Sequence, residues 1–265
     1  MSNFLVRAIS GLVYAALFIF AIVFSPETYI ALIAIFGSIS LWEFTRIIDT
    51  KGSWVFIGVF ITTILLNYYD VLSFEKVIYL LVVCSLHSVY LIIDLYSKNF
   101  VGYRQITKFF IIINYIILAF FFLAFLPFID GEYQPKLIIY VILIIWANDS
   151  FAYIIGKNFG KRKLFERISP KKTIEGFIGG LLFSIITGLV IGIYSNFLSV
   201  TNWIIIAIIT SILGTYGDLI ESKFKRQANV KDSGTIMPGH GGLLDRLDSL
   251  FFLAPFVYLY VHYLM

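Results

Sequence analysis

The sequence has little charge and almost no cysteine. Only 14% of its 265 residues are Asp, Glu, Lys or Arg, while 60% are hydrophobic and the mean hydropathy is +0.91. Soluble domains carry about 25% charged residues, so this composition excludes a soluble enzyme and a disordered chain. The single cysteine, Cys84, excludes an intrachain disulfide and a cysteine metal cluster. Since no Pro/Ser-rich linker interrupts the chain, the composition indicates a single membrane domain over residues 1–265.

Long apolar runs predict an all-α, polytopic membrane fold with about nine transmembrane helices. A bilayer core roughly 30 Å thick needs about 20 apolar residues in a helix. Within hydrocarbon, a helix pairs its backbone groups internally. The first run ends at Phe24 without a small-residue cleavage site, so we interpret it as a retained span and not a signal peptide. The predicted spans are residues 8–24, 29–48, 54–69, 77–95, 109–129, 137–155, 174–194, 203–217 and 249–264.

The basic residues predict how these spans are oriented. With nine spans and a cytoplasmic N-terminus, 18 of the 20 Lys and Arg residues fall on the cytoplasmic side, and only Lys76 and Lys136 fall outside. Cytoplasmic loops of membrane proteins carry such an excess of cations, so the pattern predicts a C-terminus outside. Residues 1–135 then form helices of unassigned role. Residues 136–265 carry two long charged stretches, which face the cytoplasm.

The first charged stretch combines a carboxylate within a predicted span with a cationic loop. Asp149 lies near the inner end of its span, where a buried carboxylate is costly and marks a functional site. A helix-end Asp in the headgroup region is the plainer alternative. Ser169, followed by proline, looks like a helix cap. It would place Lys171, Lys172 and Thr173 in the first turn of the next span, a setting suited to phosphate. Attraction of the lysines to anionic lipid heads is the alternative.

The second stretch brings four polar side chains onto two helix faces. Asp218 and Ser222 are four residues apart, and Asp245 and Asp248 are three apart, so each pair shares a face. Both predicted spans reach the inner membrane level at these residues. Carboxylates on two facing helices suit a hard cation such as Mg²⁺. Simple ion pairing with neighbouring Lys and Arg residues is the alternative.

Three glycines lie within residues 239–242. A loop of this composition lets backbone N–H groups approach a ligand closely, although a flexible turn between spans has the same composition. His240 lies within it and could contact phosphate or a base, but we do not assign it as a general base. His87 and His262 lie in apolar runs, so we interpret them as packing or interface residues.

These two stretches resemble the phosphatidate cytidylyltransferase family, also called CDP-diacylglycerol synthases. The stronger block is the ordered series Ser222-Lys-Phe-Lys225-Arg226, Lys231-Asp232-Ser-Gly234, Pro238-Gly-His240-Gly241-Gly242 and Asp245-Arg246-Leu-Asp248. The weaker block is Asn148-Asp149-Ser150 together with residues 169–176. The resemblance covers about 40% of the chain. Met237 and Ser150 depart from the usual family residues conservatively.

The resemblance implies transfer of the cytidylyl group of CTP to phosphatidate, giving CDP-diacylglycerol and pyrophosphate. It implies Mg²⁺ as cofactor, with Asp218, Asp245 and Asp248 as metal and catalytic carboxylates. Lys225 and Arg226 are the expected catalytic cations. With the patterns above, the expected substrate-binding set is Asn148, Asp149, Ser169, Lys171, Lys172, Thr173, Ser222, Lys231, Asp232, His240, Gly241, Gly242 and Arg246.

The expected setting is a bacterial-type cytoplasmic membrane, with the active site facing the cytoplasm and no nucleic acid partner. A second cation and a homodimer are left open. The motifs do not distinguish phosphatidate from an isoprenoid lipid phosphate, and a CTP-dependent lipid kinase is a further alternative. A cation or phosphate transporter with Asp149 and Asp218 as ion ligands is the alternative from another class.

Overall fold

Helices dominate the computed structural model, which describes residues 3–97, 103–237, 239 and 241–265, with side chains from residue 10 onward. Each of the nine predicted spans coincides with a helix. The described helices are α1 (Asn3–Phe24), α2 (Pro26–Ile47), α3 (Ser53–Tyr68), α4 (Phe74–Leu95), α5 (Gln105–Phe125), α6 (Pro135–Phe159), α7 (Ile174–Tyr194), α8 (Val200–Gln227) and α9 (Leu244–Leu264).

Seven of these helices are long and apolar enough to cross a bilayer: α2 and α4 to α9. Among the residues with described side chains, Ser10–Phe24 of α1 and Ser53–Tyr68 of α3 are two further apolar helical segments of 15 and 16 residues. The chain is therefore a multi-pass helical membrane protein. The count of nine spans and the sides of the two termini stay predictions.

Two short antiparallel hairpins depart from the all-α prediction. Strands β1 (Phe128–Ile129) and β2 (Glu132–Tyr133) form a tight turn before α6. Strands β3 (Lys163–Phe165) and β4 (Ser169–Thr173) pair between α6 and α7. Because such short strands carry no long alternating pattern, the apolar runs do not reveal them.

Side-chain caps fix where three of the helices begin. Ser25 and Thr28 form a reciprocal capping box at the start of α2, and Pro26 takes the first helical position. Ser199 accepts a hydrogen bond from the Asn202 N–H at the start of α8. Thr173 does the same for the Gly176 N–H at the start of α7. Each cap satisfies a backbone donor that the helix leaves without an internal acceptor.

Glycines allow the helices of the second half to approach one another closely. A Cβ atom on Gly180 of α7 would lie 2.8 Å from Asn148 Oδ1 of α6, and one on Gly188 would lie 2.7 Å from the Trp203 carbonyl oxygen of α8. Small residues at such contacts bring helix backbones together in membranes. The contacts bring α6, α7 and α8 together beneath the charged loops.

The nine-span topology predicts that the two termini lie on opposite sides of the membrane. We expect a tag at the N-terminus to be digested by protease in inverted membrane vesicles and a tag at the C-terminus to be protected. Right-side-out vesicles should give the opposite pattern. Termini digested in the same vesicle orientation would require an even number of spans.

Candidate active site

A close contact between α8 and α9 brings two of the predicted carboxylates together. A Cβ atom on Gly217 would lie 2.6 Å from the Asp248 carbonyl oxygen, so only glycine permits this approach without a shift. Ser249 Oγ donates to the Gly214 carbonyl at 3.0 Å and joins the same two helices. As a result, Asp218 and Asp248 face one cavity.

That cavity, the carboxylate cavity, has a volume of about 480 Å³. Its polar lining includes Asp149, Asp218, Asp245, Arg246 and Asp248. Apolar side chains of α1 and α6 form much of the rest of its wall, and Met237, Leu247 and Leu250 contribute from the loop and from α9. The α1 and α6 side chains include Tyr14, Phe18, Ile142, Ile145 and Trp146. The three predicted metal carboxylates, Asp218, Asp245 and Asp248, therefore line a common space, and their role as metal ligands stays a prediction.

A second cavity, the lysine cavity, has a volume of about 630 Å³. It lies between α6, the β3–β4 hairpin and the start of α7. Asp149 and Asp218 line both cavities, so the two spaces adjoin at these carboxylates. The remaining polar side chains of the lysine cavity are Asn148, Tyr153, Lys157, Lys163, Lys171, Lys172, Thr173 and Thr215.

The lysines reach this cavity from a strand and not from the predicted helix turn. Lys171 and Lys172 lie in β4, and α7 begins only at Ile174, so their predicted place in its first turn is wrong. Lys163 pairs with Thr173 across the hairpin, and Thr173, not Ser169, caps the helix. Strand pairing overrides the local Ser-Pro signal, and Ser169 lies at the far end of β4 opposite Phe165.

Asn148 connects three helices and orients one carboxylate. Its Oδ1 accepts hydrogen bonds from Ser211 Oγ of α8 at 2.6 Å and from Ser184 Oγ of α7 at 3.4 Å. Its amide nitrogen donates to Asp149 Oδ1 at 3.2 Å. Asn148 is therefore a structural node as well as part of the cavity wall, where it fixes the orientation of Asp149.

Asp218 is held by contacts from two directions. Ser222 Oγ donates to its Oδ1 at 3.2 Å, which confirms the shared face predicted from their spacing. Lys172 Nζ lies 2.5 Å from its Oδ2, and this ion pair joins the β3–β4 hairpin to α8. This ion pair places a cation directly at the boundary between the lysine cavity and the carboxylate cavity.

Lys225 is almost completely buried between two acidic side chains. Its ammonium lies 2.6 Å from Asp245 Oδ1 and forms a second ion pair with Glu221 of its own helix. Asp245 Oδ2 in turn accepts hydrogen bonds from the Ser233 N–H at 2.9 Å and the Gly242 N–H at 2.8 Å. Both oxygens of Asp245 therefore already have protein partners.

A loop before α9 forms a third space, the loop cavity, of about 510 Å³. Lys231, Asp232, Gly241 and Arg246 line it. Gly241 has φ +93°, and an added Cβ would lie 2.6 Å from Asp245 Oδ2, so glycine is required there. The predicted contact residue His240 lies outside the described residues.

Arg226 lies away from these spaces. Its guanidinium donates to the Val230 carbonyl oxygen at 3.0 Å at the exposed end of α8. This contact closes the turn that leads into the loop cavity. A direct catalytic role for Arg226 stays a prediction.

Glu43 of α2 is a site residue that the motifs do not include. It is only 1% exposed and binds the loop and the first turn of α9 through Ser233, Leu243 and Leu244. The sequence gives one indication of its importance: Glu43 is an acidic residue inside an apolar span. Burying such a side chain is costly unless it has hydrogen-bond or ionic partners.

The oxygen ligands of the carboxylate cavity suit a hard cation. Asp218 and Asp248 offer carboxylate oxygens beside the cationic cavity, and oxygen ligands are those that Mg²⁺ prefers. Among the described residues, no group of three His, Cys, Asp or Glu side chains forms a complete metal site. Mg²⁺ usually completes its shell with phosphate oxygens and water, so two carboxylates are compatible with it.

Gly217→Ala should destabilise the protein, because its methyl group would push α9 away from α8. We expect a loss of about 1–3 kcal/mol, the usual cost of overpacking. Gly58→Ala in α3 is the matched control, because nothing lies within 4 Å of its Cβ position. Thermal unfolding of both variants in detergent measures the difference, and equal melting temperatures would contradict the close contact.

Known proteins match this chain over almost its full length. The family model described as "Cytidylyltransferase family" matches residues 5–264. A phosphatidate cytidylyltransferase of Bacillus subtilis (strain 168) is 31% identical over 260 residues, which is 95% of each chain. Phosphatidate cytidylyltransferases of Staphylococcus saprophyticus and Staphylococcus haemolyticus are 52% identical over 120 and 119 residues, 44% of this chain and 46% of theirs. The family resemblance seen in the sequence is confirmed, and the chain belongs to the cytidylyltransferase family.

Proposed function

We propose that this protein transfers the cytidylyl group of CTP to the phosphate of phosphatidate, releasing pyrophosphate and forming CDP-diacylglycerol. The observation that carries the proposal is the meeting of the lysine cavity and the carboxylate cavity at Asp149 and Asp218. Membership of the cytidylyltransferase family and the names of the relatives support the same reaction. The reaction needs such a meeting point, because a nucleotide and a lipid phosphate must react there.

The chemistry requires charge neutralisation more than a strong base. A phosphate monoester has a second pKa of about 6, so the attacking phosphate of phosphatidate is already largely dianionic at neutral pH. It attacks the α-phosphorus of CTP, and pyrophosphate leaves. Two anions must therefore approach each other, and positioning with electrostatic stabilisation provides most of the catalysis.

The lysine cavity suits the triphosphate. Lys157, Lys163, Lys171 and Lys172 line one side of it, and the last of these already pairs with Asp218. Ammonium groups at this place would stabilise the phosphate charge that grows on the departing pyrophosphate. Lys172 would exchange part of its contact with Asp218 for a phosphate oxygen.

The carboxylate cavity suits a cation and the lipid head. Asp218 and Asp248 would hold Mg²⁺, with Asp245 near them but engaged by Lys225. A bound Mg²⁺ ion supplies Lewis-acid polarisation of a phosphate oxygen. Asp149, held by Asn148, would orient water or the nucleotide.

The apolar wall of the same cavity gives the acyl chains a route into the bilayer. Tyr14 and Phe18 of α1 face Ile145 and Trp146 of α6 around it. A lipid could therefore keep its chains between α1 and α6 while its phosphate reaches Asp218. The cationic loops support an opening of the site toward the cytoplasm, where CTP is dissolved.

The reaction is tested with purified protein, CTP labelled at the α-phosphate, phosphatidate and Mg²⁺. We expect label in the lipid phase and one pyrophosphate released per lipid formed. Formation of CDP with no label in the lipid would indicate a kinase instead. An isoprenoid phosphate consumed in preference to phosphatidate would favour the other lipid class.

Asp218→Asn should reduce kcat on the order of 10²-fold or more, because the amide removes the negative charge at the meeting point of the cavities. The protein should still fold and insert. Asp70→Asn is the matched control, since Asp70 is exposed in a loop and asparagine tolerates its positive φ of 54°. Near-normal activity of Asp218→Asn would remove this carboxylate from the reaction.

Lys172→Ala should weaken substrate engagement, because a phosphate loses one ammonium partner. We expect the Michaelis constant for CTP to rise about tenfold. A hydrogen bond to a charged group contributes roughly 1.5–3 kcal/mol, and the lower end of this range corresponds to about a tenfold change in affinity. Lys161→Ala is the control, since Lys161 is exposed beside the hairpin. Unchanged Michaelis constants for both substrates would contradict the assignment.

A further inference from the structure

We propose that Glu43 of α2 is a positioning residue that fixes the loop before α9 and the first turn of α9, and thereby sets the turnover rate. Through this carboxylate, α2 of the N-terminal half would then take part in the reaction. The kinetic part of the proposal rests on the proposed function. Glu43 does not line the carboxylate, lysine or loop cavity, so it would act through the groups that it holds.

Glu43 provides the cap that α9 lacks from its own sequence. Leu243, the residue before α9, has no side-chain hydrogen bond to the helix. Glu43 Oε1 instead accepts from the Leu243 N–H at 3.2 Å, and its Oε2 accepts from the Leu244 N–H at 2.8 Å. A carboxylate at a helix N-terminus satisfies free N–H groups and interacts favourably with the helix dipole.

Glu43 and Asp245 hold the loop from two sides through Ser233. The Ser233 hydroxyl donates to Glu43 Oε2 at 3.1 Å, and the Ser233 N–H donates to Asp245 Oδ2. The Gly242 N–H also donates to Asp245, directly before the two N–H groups that bind Glu43. Glu43 of the N-terminal half and Asp245 of the candidate active site thus bind the same two backbone segments, at Ser233 and at residues 242–244.

Two glycines make room for the Glu43 carboxylate. A Cβ atom on Gly234 would lie 2.4 Å from Glu43 Oε1, and its three nearest atoms all belong to Glu43. A Cβ atom on Gly242 would meet Ser233 Oγ first and would lie 2.6 Å from both Glu43 oxygens. The buried carboxylate therefore explains the glycine at position 234, and the carboxylate together with its Ser233 partner explains the glycine at position 242.

The held segments carry groups of the proposed reaction. Lys231 and Asp232 precede Ser233, and Arg246 and Asp248 lie in the first two turns of α9. A displaced α9 start would move Asp248 relative to Asp218, whose place is set separately by α8. Small displacements of reacting groups cost much of the rate.

The first test is Glu43→Gln, with Glu27→Gln as the matched control on the same helix. Glutamine keeps the length but offers one acceptor oxygen and turns an NH₂ group toward backbone donors. We expect kcat, per folded protein, to fall about tenfold while the Michaelis constants change less than twofold. Glu27 is exposed at the start of α2, so its variant should retain the normal kcat. A normal kcat for Glu43→Gln would overturn the proposal, as would a loss seen only in the yield of folded protein.

The second test couples Glu43 to Gly234. Gly234→Ala should lower kcat about tenfold in the natural sequence, because its methyl group meets the carboxylate. The same change added to Glu43→Ala should cost less than twofold, since the methyl then has space. Equal costs in both backgrounds would show that the contact does not govern the rate.

The third test needs no turnover and so separates this proposal from the proposed function. In a Met237→Cys variant, the new thiol reports on the loop through its rate of labelling by a maleimide, because Met237 is only 8% exposed. The natural Cys84 is buried and gives a low background. We expect labelling at least tenfold faster with Glu43→Gln than with Glu27→Gln. Equal rates would overturn the anchoring role, whatever reaction the protein catalyses.

Discussion

Four acidic side chains of α6, α8 and α9 line one cavity: Asp149, Asp218, Asp245 and Asp248. Their mutual repulsion must be balanced for the fold to be stable. Buried carboxylates need cations or hydrogen-bond donors. Lys172 neutralises Asp218 from a hairpin, and Lys225 neutralises Asp245 from within α8. The same arrangement leaves a region in which negative charge and positive charge face each other across a small space. Phosphate chemistry needs that kind of region, since its substrates and its metal carry opposite charges.

The shape of the site follows from two different surroundings. On one side of Asp218, lysines of α6 and the β3–β4 hairpin line a cationic space, and on the other, aromatic and aliphatic side chains of α1 and α6 line the carboxylate cavity. A soluble fold would close such an apolar groove over itself, because exposed apolar surface is unfavourable in water. Here the bilayer provides the apolar surroundings, so the groove can stay open to a lipid.

Local spacing predicts the parts of the site that lie on one element. The four-residue interval between Asp218 and Ser222 gives a hydrogen bond, and each apolar run gives a helix. Contacts between distant segments are less accessible. The β3–β4 hairpin depends on pairing that overrides a plausible helix cap, which moves Lys171 and Lys172 onto a strand. Glu43 lies about 190 to 201 residues before its partners, so no motif window contains both.

That separation has a consequence for how the protein is made. α2 is synthesised long before Ser233, Leu243 and Leu244, whose hydroxyl and N–H groups donate to its Glu43 carboxylate, because these residues lie 190 to 201 positions later in the chain. During this interval Glu43 sits in an apolar helix without its final hydrogen bonds, a state that is costly in hydrocarbon. The early helices therefore cannot settle into their final packing as a finished unit. The contacts of α2 are therefore completed only when the residues around the start of α9 arrive, so assembly of the described helices includes a late step that joins the two halves of the chain.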